Sequence, residues 1–483
     1  MFKRLGQNLA TVAVAFVVIA ASLSASAGGL YTTDRGVRPL GRGGAFVAGA
    51  DDLGALYYNP AGLVHAPRQV MLDASLMFMN IEYTRVARVR QVNPNTGELT
   101  GQAWDRTYPT AKGAPSLLPL PTGAVSYDFG LENAVFALGA WTPYAGVANY
   151  KRVVNGVPNP GRYMFLSFEG STLIVPGVWA AYAFSPKLSV GAGFEMLVGN
   201  IIGESAINGG VPDRFMGASE DPNYDFISRM TIGPIFTPSG NIGIQANPLS
   251  NLRLGLAFQL PFYITAPTRP QGKIPSAAVF QDAYLSGDDA TLKMTFPWIA
   301  RAGFEAYWDQ LRIELAFVYE AWSMHDKATI TPTGVAYRGV LTLPDEYVLQ
   351  QQSVARNFKD TWSVRLGGEA SFNVGAYKID ARAGVMYEQS AIPPEYLTTI
   401  TTDLDKVVLG LGGSFHLSPS WRFDLMVART FMVPVDVSAE KARFELPTAV
   451  RGHDTPSEFR DYVNGGRYKA NATLIGVGFV RNY

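Results

Sequence analysis

Alternation with a period of two is the feature that most restricts what this chain can become. Between Leu311 and Glu320, residues Leu311, Ile313, Leu315, Phe317 and Tyr319 share one face, and Arg312, Glu314, Ala316, Val318 and Glu320 share the other. The stretch from Tyr377 to Glu388 repeats the pattern, as do the stretches beginning at Lys406 and Trp421. Successive side chains of a strand point to opposite faces, so a one-residue slip would exchange the two faces and each register is strongly specified. A soluble sandwich also alternates. Here, however, the second face carries full ladders such as Lys378, Asp380, Arg382 and Glu388. Those suit a wet, mutually neutralised lumen opposite a lipid-facing band.

The connections between the stripes alternate in length. Short ones fall at 129–133, 185–187, 247–251, 308–310, 373–376 and 418–420; long polar ones lie near 91–120, 143–163, 200–226, 266–288, 332–360, 391–404 and 433–468. Six short and seven long connections imply fourteen strands. An even number of strands, with tight turns at one rim and long loops at the other, is the pattern of an outer-membrane barrel of a Gram-negative bacterium. The expected fold is therefore all-β, a 14-stranded antiparallel transmembrane barrel over residues 70–483. Ile475, Val477, Phe479 and Tyr483 share the outer face of the last strand, ending on the aromatic that the barrel-assembly machinery reads. Arg429 and Arg481 interrupt the lipid face near the rims, where a long cationic stem can snorkel.

The start of the chain fits an exported protein. Lys3 and Arg4 precede an apolar run from Leu9 to Leu23, and Ala25-Ser26-Ala27 supplies a small-residue cleavage site, so residues 1–27 read as a signal peptide. Forty basic residues balance forty acidic ones, which leaves no basic field for nucleic acid. The absence of cysteine excludes disulfides and a thiolate nucleophile. His65, His325, His416 and His453 are scattered without metal-ligand spacing, and the pair Asp51-Asp52 alone lacks the ligand count that calcium wants. No metal or cofactor is expected. An outer-membrane hydrolase would need a serine beside an inward histidine, and only His416 points inward, so an enzyme is a weak alternative.

One segment breaks the alternation before the first long strand. "DDLGALYYNPAGL", from Asp51 to Leu63, joins paired aspartates, paired tyrosines and a turn-forming Asn-Pro. Fourteen strands enclose more space than their own side chains fill and number fewer than those of the 16–18-stranded open porins. Residues 28–69 are thus expected to fold inside the barrel as a plug. Gly41-Arg42-Gly43-Gly44 lacks the third glycine of a dinucleotide fingerprint, because Phe46 stands there, and no βαβ unit surrounds it.

"GRGGAFVAGADD" followed by aromatics and "NPAGL", "FKDTW" at 358–362, "YEQSAIPPEY" at 387–396 and the terminal aromatic together resemble the FadL/TodX (OMPP1) family of outer-membrane transport proteins. The resemblance implies a monomer plugged by an N-terminal hatch. It also implies passive uptake of hydrophobic molecules, with long-chain fatty acids first and aromatic hydrocarbons second, through an internal apolar pocket and a lateral opening in the wall. Asn59, Pro60 and Ala61 match the family's motif at that opening. Gly41, Gly43 and Gly44 would let the hatch backbone fold tightly, and Asp51 and Asp52 would bond hatch amides or inward arginines. Pro143, Pro176 and Pro234 mark where strand pairing could break. For a carboxylate cargo the family pattern suggests Lys327, then Arg162, as the receiving cation. The expected partners are the cargo, outer-membrane lipids and the assembly machinery. A general diffusion porin or a structural outer-membrane protein remains the alternative.

Overall fold

The computed structural model describes residues 34–92, 99–115, 118–142, 148–209, 220–341, 344–447 and 462–483. The proposed signal peptide, the first residues of the plug, Pro143 and His453 lie outside them. Fourteen staves form a closed antiparallel barrel. They are β1 (Gln69–Val92), β2 (Leu118–Tyr127), β3 (Ala134–Trp141), β4 (Thr172–Ser185), β5 (Leu188–Asn208) and β6 (Asp225–Leu249). Next come β7 (Leu252–Gln259 continuing as Phe262–Lys273), β8 (Asp289–Phe296 continuing as Ile299–Trp308), β9 (Leu311–Glu320 continuing as Lys327–Thr333) and β10 (Gln352–Ala355 continuing as Thr361–Val374). The circle ends with β11 (Tyr377–Glu388), β12 (Lys406–Ser418), β13 (Trp421–Met432) and β14 (Gly466–Asn482). β14 returns to β1 in one unbroken register from Gln69↔Asn482 to Arg85↔Gly466. The ring of staves therefore closes on itself between its first and last members.

Burial follows the stripes. On β9, Leu315 and Phe317 are 51% and 45% exposed while Glu314 and Ala316 are 0% and 1% exposed, so the apolar face looks outward and the charged face inward. The six short connections fall at one rim where the alternation of lengths places them. At the other rim the staves run well into what the sequence suggests are loops: β1, β5 and β6 reach 24, 21 and 25 residues. Beyond the lipid both faces of a strand are wetted, so ladder bonds persist where the apolar-polar contrast fades. Residues 201–205, all half-buried, are such a stretch.

Arg429, on the outer face, is half-buried and donates to Thr473 Oγ1 at 2.6 Å and Asn471 Oδ1 at 3.0 Å, and Arg481 lies 5.1 Å over the Trp421 ring. The terminal Tyr483 hydroxyl donates to Ser126 O at 2.9 Å, tying the chain end to β2.

The N-terminal segment occupies the lumen toward the short-turn rim. It forms two short helices, α1 (Val37–Gly41) and α2 (Ala55–Tyr58), and a 3-10 turn at Pro60–His65. Asn59 caps that turn by accepting from Ala61 N at 3.2 Å, and Pro60 at its first position brings a pre-set φ and no surplus N–H.

Candidate functional site

The plug is seated by two devices. The first is a belt of inward glycines on successive staves. Gly191 and Gly243 are cross-strand partners, as are Gly255 and Gly303, Gly367 and Gly384, and Gly384 and Gly410. A Cβ would fall 2.3 Å from Pro60 C at Gly191, 2.0 Å from Asn59 Oδ1 at Gly243, 2.5 Å from Val47 O at Gly255 and 2.0 Å from Arg42 O at Gly367. The plug backbone therefore lies directly on the wall, at a distance only glycine permits. Glycines interrupting a strand pattern mark such close approaches, so the belt is readable in the sequence itself.

The second device is charge. Arg38 reaches Asp51 at 2.6 Å, Asp52 at 2.9 Å and Glu369 at 3.0 Å. Arg42 reaches Glu305 at 2.7 Å and Glu314 at 3.4 Å, and Asp34 meets Arg365 at 2.9 Å. Asp51 also pairs with Arg312 at 2.6 Å, and Asp52 with Arg422 at 2.8 Å while accepting from Gly54 N at 2.9 Å. Glu314 accepts the backbone N–H groups of Val47, Ala48 and Gly49 at 2.6, 2.9 and 2.9 Å. Burial alone would raise the Asp52 pKa; Arg38 and Arg422 overcome it and hold the carboxylate well below its ordinary range.

Of the other plug residues singled out from sequence, Gly43 and Gly44 have φ of 62° and 78°, the left-handed region where a side chain is strained. Gly41 faces the Cα of Gly412, 3.2 Å from where its Cβ would stand. Asn59, fully buried, donates to Val47 O at 3.0 Å and Ile244 O at 3.1 Å. Asn59, Pro60 and Ala61 thus lie against the inside of β5 and β6.

Among the described residues the ladder of the wall is interrupted nearby. β3 pairs with β2 and β4 as far as Trp141, which stands opposite Val175, and pairing on the β2 side resumes between Ala148–Tyr150 and Ala111–Pro115. The β4–β5 ladder itself skips Val175 and Pro176. Pro234 sits beside the bulge where the register of β6 shifts against Gly199. The plug meets the end of β3: Arg35 Nε donates to Thr142 O at 2.8 Å, its guanidinium lies 4.4 Å from the Tyr57 and Trp141 rings, and those two rings pack edge-on at 5.2 Å.

Between the plug and the long-loop rim lies a cavity of about 120 Å³. Its floor is Asp34, Leu40 and Gly43, and its walls include Met77, Met79, Ile81, Met386, Val408, Met432 and Leu474. Phe165, Phe168, Trp322 and Phe358 close in from the loops. Its one lysine is Lys406, whose ammonium pairs with Glu388 and, at 2.7 Å, with Asp403. The cations suggested by the family pattern stand elsewhere. Lys327 is exposed at the start of the outer half of β9, and Arg162 is committed to Asp225 at 2.7 Å, the Tyr163 hydroxyl at 2.7 Å and Glu220 O at 2.9 Å; neither lines the cavity.

His65 bonds Gln245 at 2.9 Å, His325 bonds Thr295 O at 2.9 Å and His416 bonds Asp380 at 2.8 Å. Among the described residues no three potential ligands stand together for a metal.

A closed fourteen-stave barrel, plugged by its N-terminal segment and holding a cavity above the plug, has the architecture of a plugged outer-membrane transport barrel. The sequence model of the outer membrane protein transport proteins (OMPP1/FadL/TodX) matches residues 18–481, nearly the whole chain, and the chain belongs to that family. Solved structures with the same fold include a Pseudomonas aeruginosa FadL homologue, 16% identical with a TM-score of 0.66, over 94% of this chain and 99% of that one. The Pseudomonas putida toluene transporter TodX is 14% identical with a TM-score of 0.58, over 95% and 99%. The Ralstonia pickettii toluene transporter TbuX is 14% identical with a TM-score of 0.55, over 93% and 98%. A search of curated proteins found no match.

Proposed function

We propose that this chain admits small hydrophobic molecules from the outside into the cavity above the plug and releases them sideways through the wall at the break in the β4–β5 ladder, beside Trp141. The observation that carries this reading is the cavity itself, lined by methionine, aliphatic and aromatic side chains and floored by the plug. Apolar cargo gains about 0.8 kcal/mol per buried CH₂ on leaving water, so capture needs no energy source. Release toward the bilayer interior offers an equally apolar destination. In this scheme Asp34 and Arg35, consecutive residues of the plug, link the cavity floor to the edge of the break.

Size bears on the cargo. The cavity, about 120 Å³, is close to the roughly 150 Å³ apolar void known to take benzene. A long acyl chain would fill it and run on beyond it, so one-ring or short-chain molecules suit it better than the long-chain fatty acids that the family resemblance puts first. TodX and TbuX, which share the fold, are toluene transporters. The test is uptake by cells lacking other routes, with toluene and hexadecanoate supplied separately. Faster toluene entry with the protein present is expected. Entry of neither above background, at normal barrel abundance, would remove the reading.

A further inference from the structure

Apart from Asp34 in its floor, the charged side chains that line the cavity gather at one place. Glu388, the last residue of β11, and Lys406, the first of β12, are direct cross-strand partners at the long-loop rim, and both line it. Asp403 closes on Lys406 from the loop before β12. Among the described residues, the only lysine or arginine lining the cavity is therefore already met by two carboxylates. The third carboxylate of the lining, Asp34, is neutralised from behind by Arg365. Glu388 is 4% exposed, and while its Oε1 holds Lys406, its Oε2 has no hydrogen-bond partner. Thr399, 1% exposed in the same lining, likewise has a hydroxyl without a partner. A buried acceptor left unmade is costly, and a donor brought to it in a low-dielectric site forms a charge-assisted bond.

We propose that this end of the cavity is a subsite for a neutral apolar molecule carrying a hydroxyl, such as a phenol, which donates to Glu388 Oε2, while the carboxylate-saturated Lys406 turns organic acids away. The proposal rests on the uptake reading given above and assigns its substrate class. It also moves the polar contact away from Lys327 and Arg162, the cations that a fatty-acid cargo would have used. An acid entering here would find a locally negative cluster and, among the described lining residues, no uncommitted cation. A plain hydrocarbon would fit but would leave Glu388 unpaired.

The full chain in nanodiscs, dialysed at neutral pH against toluene, p-cresol and p-toluate with empty nanodiscs as the partition control, separates the cases. These probes share one methylated ring and differ in hydrogen, hydroxyl and carboxylate. Expected is p-cresol bound about tenfold more tightly than toluene, the worth of one hydrogen bond to a charged acceptor, and p-toluate bound least. In the double variant Glu388→Met with Lys406→Met, which replaces a buried ion pair by apolar residues of similar bulk, the preference should fall to near unity while toluene binding persists. Glu388→Gln, closer in shape, should lose part of the preference and guards against misfolding of the double variant. Equal binding of toluene and p-cresol by the natural chain, or tighter binding of p-toluate, overturns the subsite and leaves the uptake reading standing. Binding of none of the three overturns both.

Discussion

The plug meets two unlike walls. Toward β8, β9, β10 and β13 it is fixed by buried charge: Arg42 to Glu305 and Glu314, Arg38 to Glu369, Asp34 to Arg365, Asp51 to Arg312 and Asp52 to Arg422. Toward β3, β5 and β6 amide and ring contacts prevail, with the Arg35 charge acting on buried Glu195 of β5 as the exception. Asn241 donates to Leu56 O at 2.6 Å, Gln245 to Ala48 O at 2.6 Å and Asn59 to Ile244 O at 3.1 Å; Tyr57 packs on Trp141 and Pro60 lies against Gly191. Separating a buried ion pair strands a charge at about 3–5 kcal/mol, whereas an amide-carbonyl bond contributes about 1 kcal/mol and can be exchanged for water. The wall with the break is thus the wall from which the plug can be moved at low cost. The opposite wall works as the anchor.

The largest effect is expected where the anchor is densest. Glu314→Leu removes the acceptor of three plug amides and one partner of Arg42, a loss of about 3–5 kcal/mol from plug seating. The variant should still assemble as a heat-modifiable barrel, since the closed ladder and lipid band are untouched. Its plug should become open to added protease, and planar bilayers should record frequent ion-conducting steps, many more than the natural chain is expected to give. A quiet, resistant variant would show that charge is not what anchors the plug.

Acid probes the same side. Asp52 is held below its ordinary pKa despite burial that would raise it, because Arg38 and Arg422 stabilise the carboxylate. A depressed acid contributes stability that is present above the unfolded value, about 3.9, and is lost as pH falls through that range toward the folded value. Loss of this carboxylate should make conductance rise below about pH 4, by up to tenfold per pH unit for one proton. Asp52→Asn should raise the neutral-pH conductance and flatten this acid response. An unchanged acid response in Asp52→Asn would assign it to another group.

On the mobile side, Ala61→Phe tests whether Asn59-Pro60-Ala61 shapes passage. Ala61 is fully buried, and its N would lie 2.5 Å from a Cβ at Gly191, so the added ring overpacks the seam by about 1–3 kcal/mol. Normal outer-membrane levels, near-normal cargo binding and strongly reduced uptake are expected. Normal uptake at normal abundance would return the motif to a plain turn.

The barrel was legible because lipid outside and charge inside impose a strict contrast on every stave, as Leu315 beside Glu314 illustrates. The long-loop rim was less so. There β5 and β6 run on through Asn208 and from Asp225 with both faces wetted, and the contrast that reveals a strand is gone. The anchor was half legible: inward ladders such as 380-382 were plain, but that Arg38 meets Glu369, more than three hundred residues away, follows from closure of the ring and not from local pattern. The cavity was hidden for a similar reason. Glu388 and Lys406 look like ordinary rim charges until β11 and β12 align them. The glycine belt was legible and needed only the question of what comes close enough to require it.

The smallest expected effect concerns the edge of the break itself. Tyr58 pins Arg35 by accepting from its N and donating to its O, both at 3.0 Å, and the Arg35 side chain reaches from there to Thr142 O and the Tyr57 and Trp141 rings. Arg35→Leu keeps an aliphatic body but loses the hydrogen bond and the cation–π contacts, together about 1–2 kcal/mol. The Thr142 carbonyl ends a strand and can accept from water instead, which keeps the loss at that level and spares assembly. If the break is the exit, opening becomes easier by about tenfold for 1.4 kcal/mol, and uptake at low cargo concentration should rise. Binding in the cavity should not change, because Arg35 is not among its lining residues. Slower uptake with unchanged binding would instead mean that Arg35 passes cargo toward the break rather than holding it shut. Either result locates the limiting step on the loosely held side of the plug. Unchanged uptake would put that step at capture, and the contrast between the two walls would then concern stability alone.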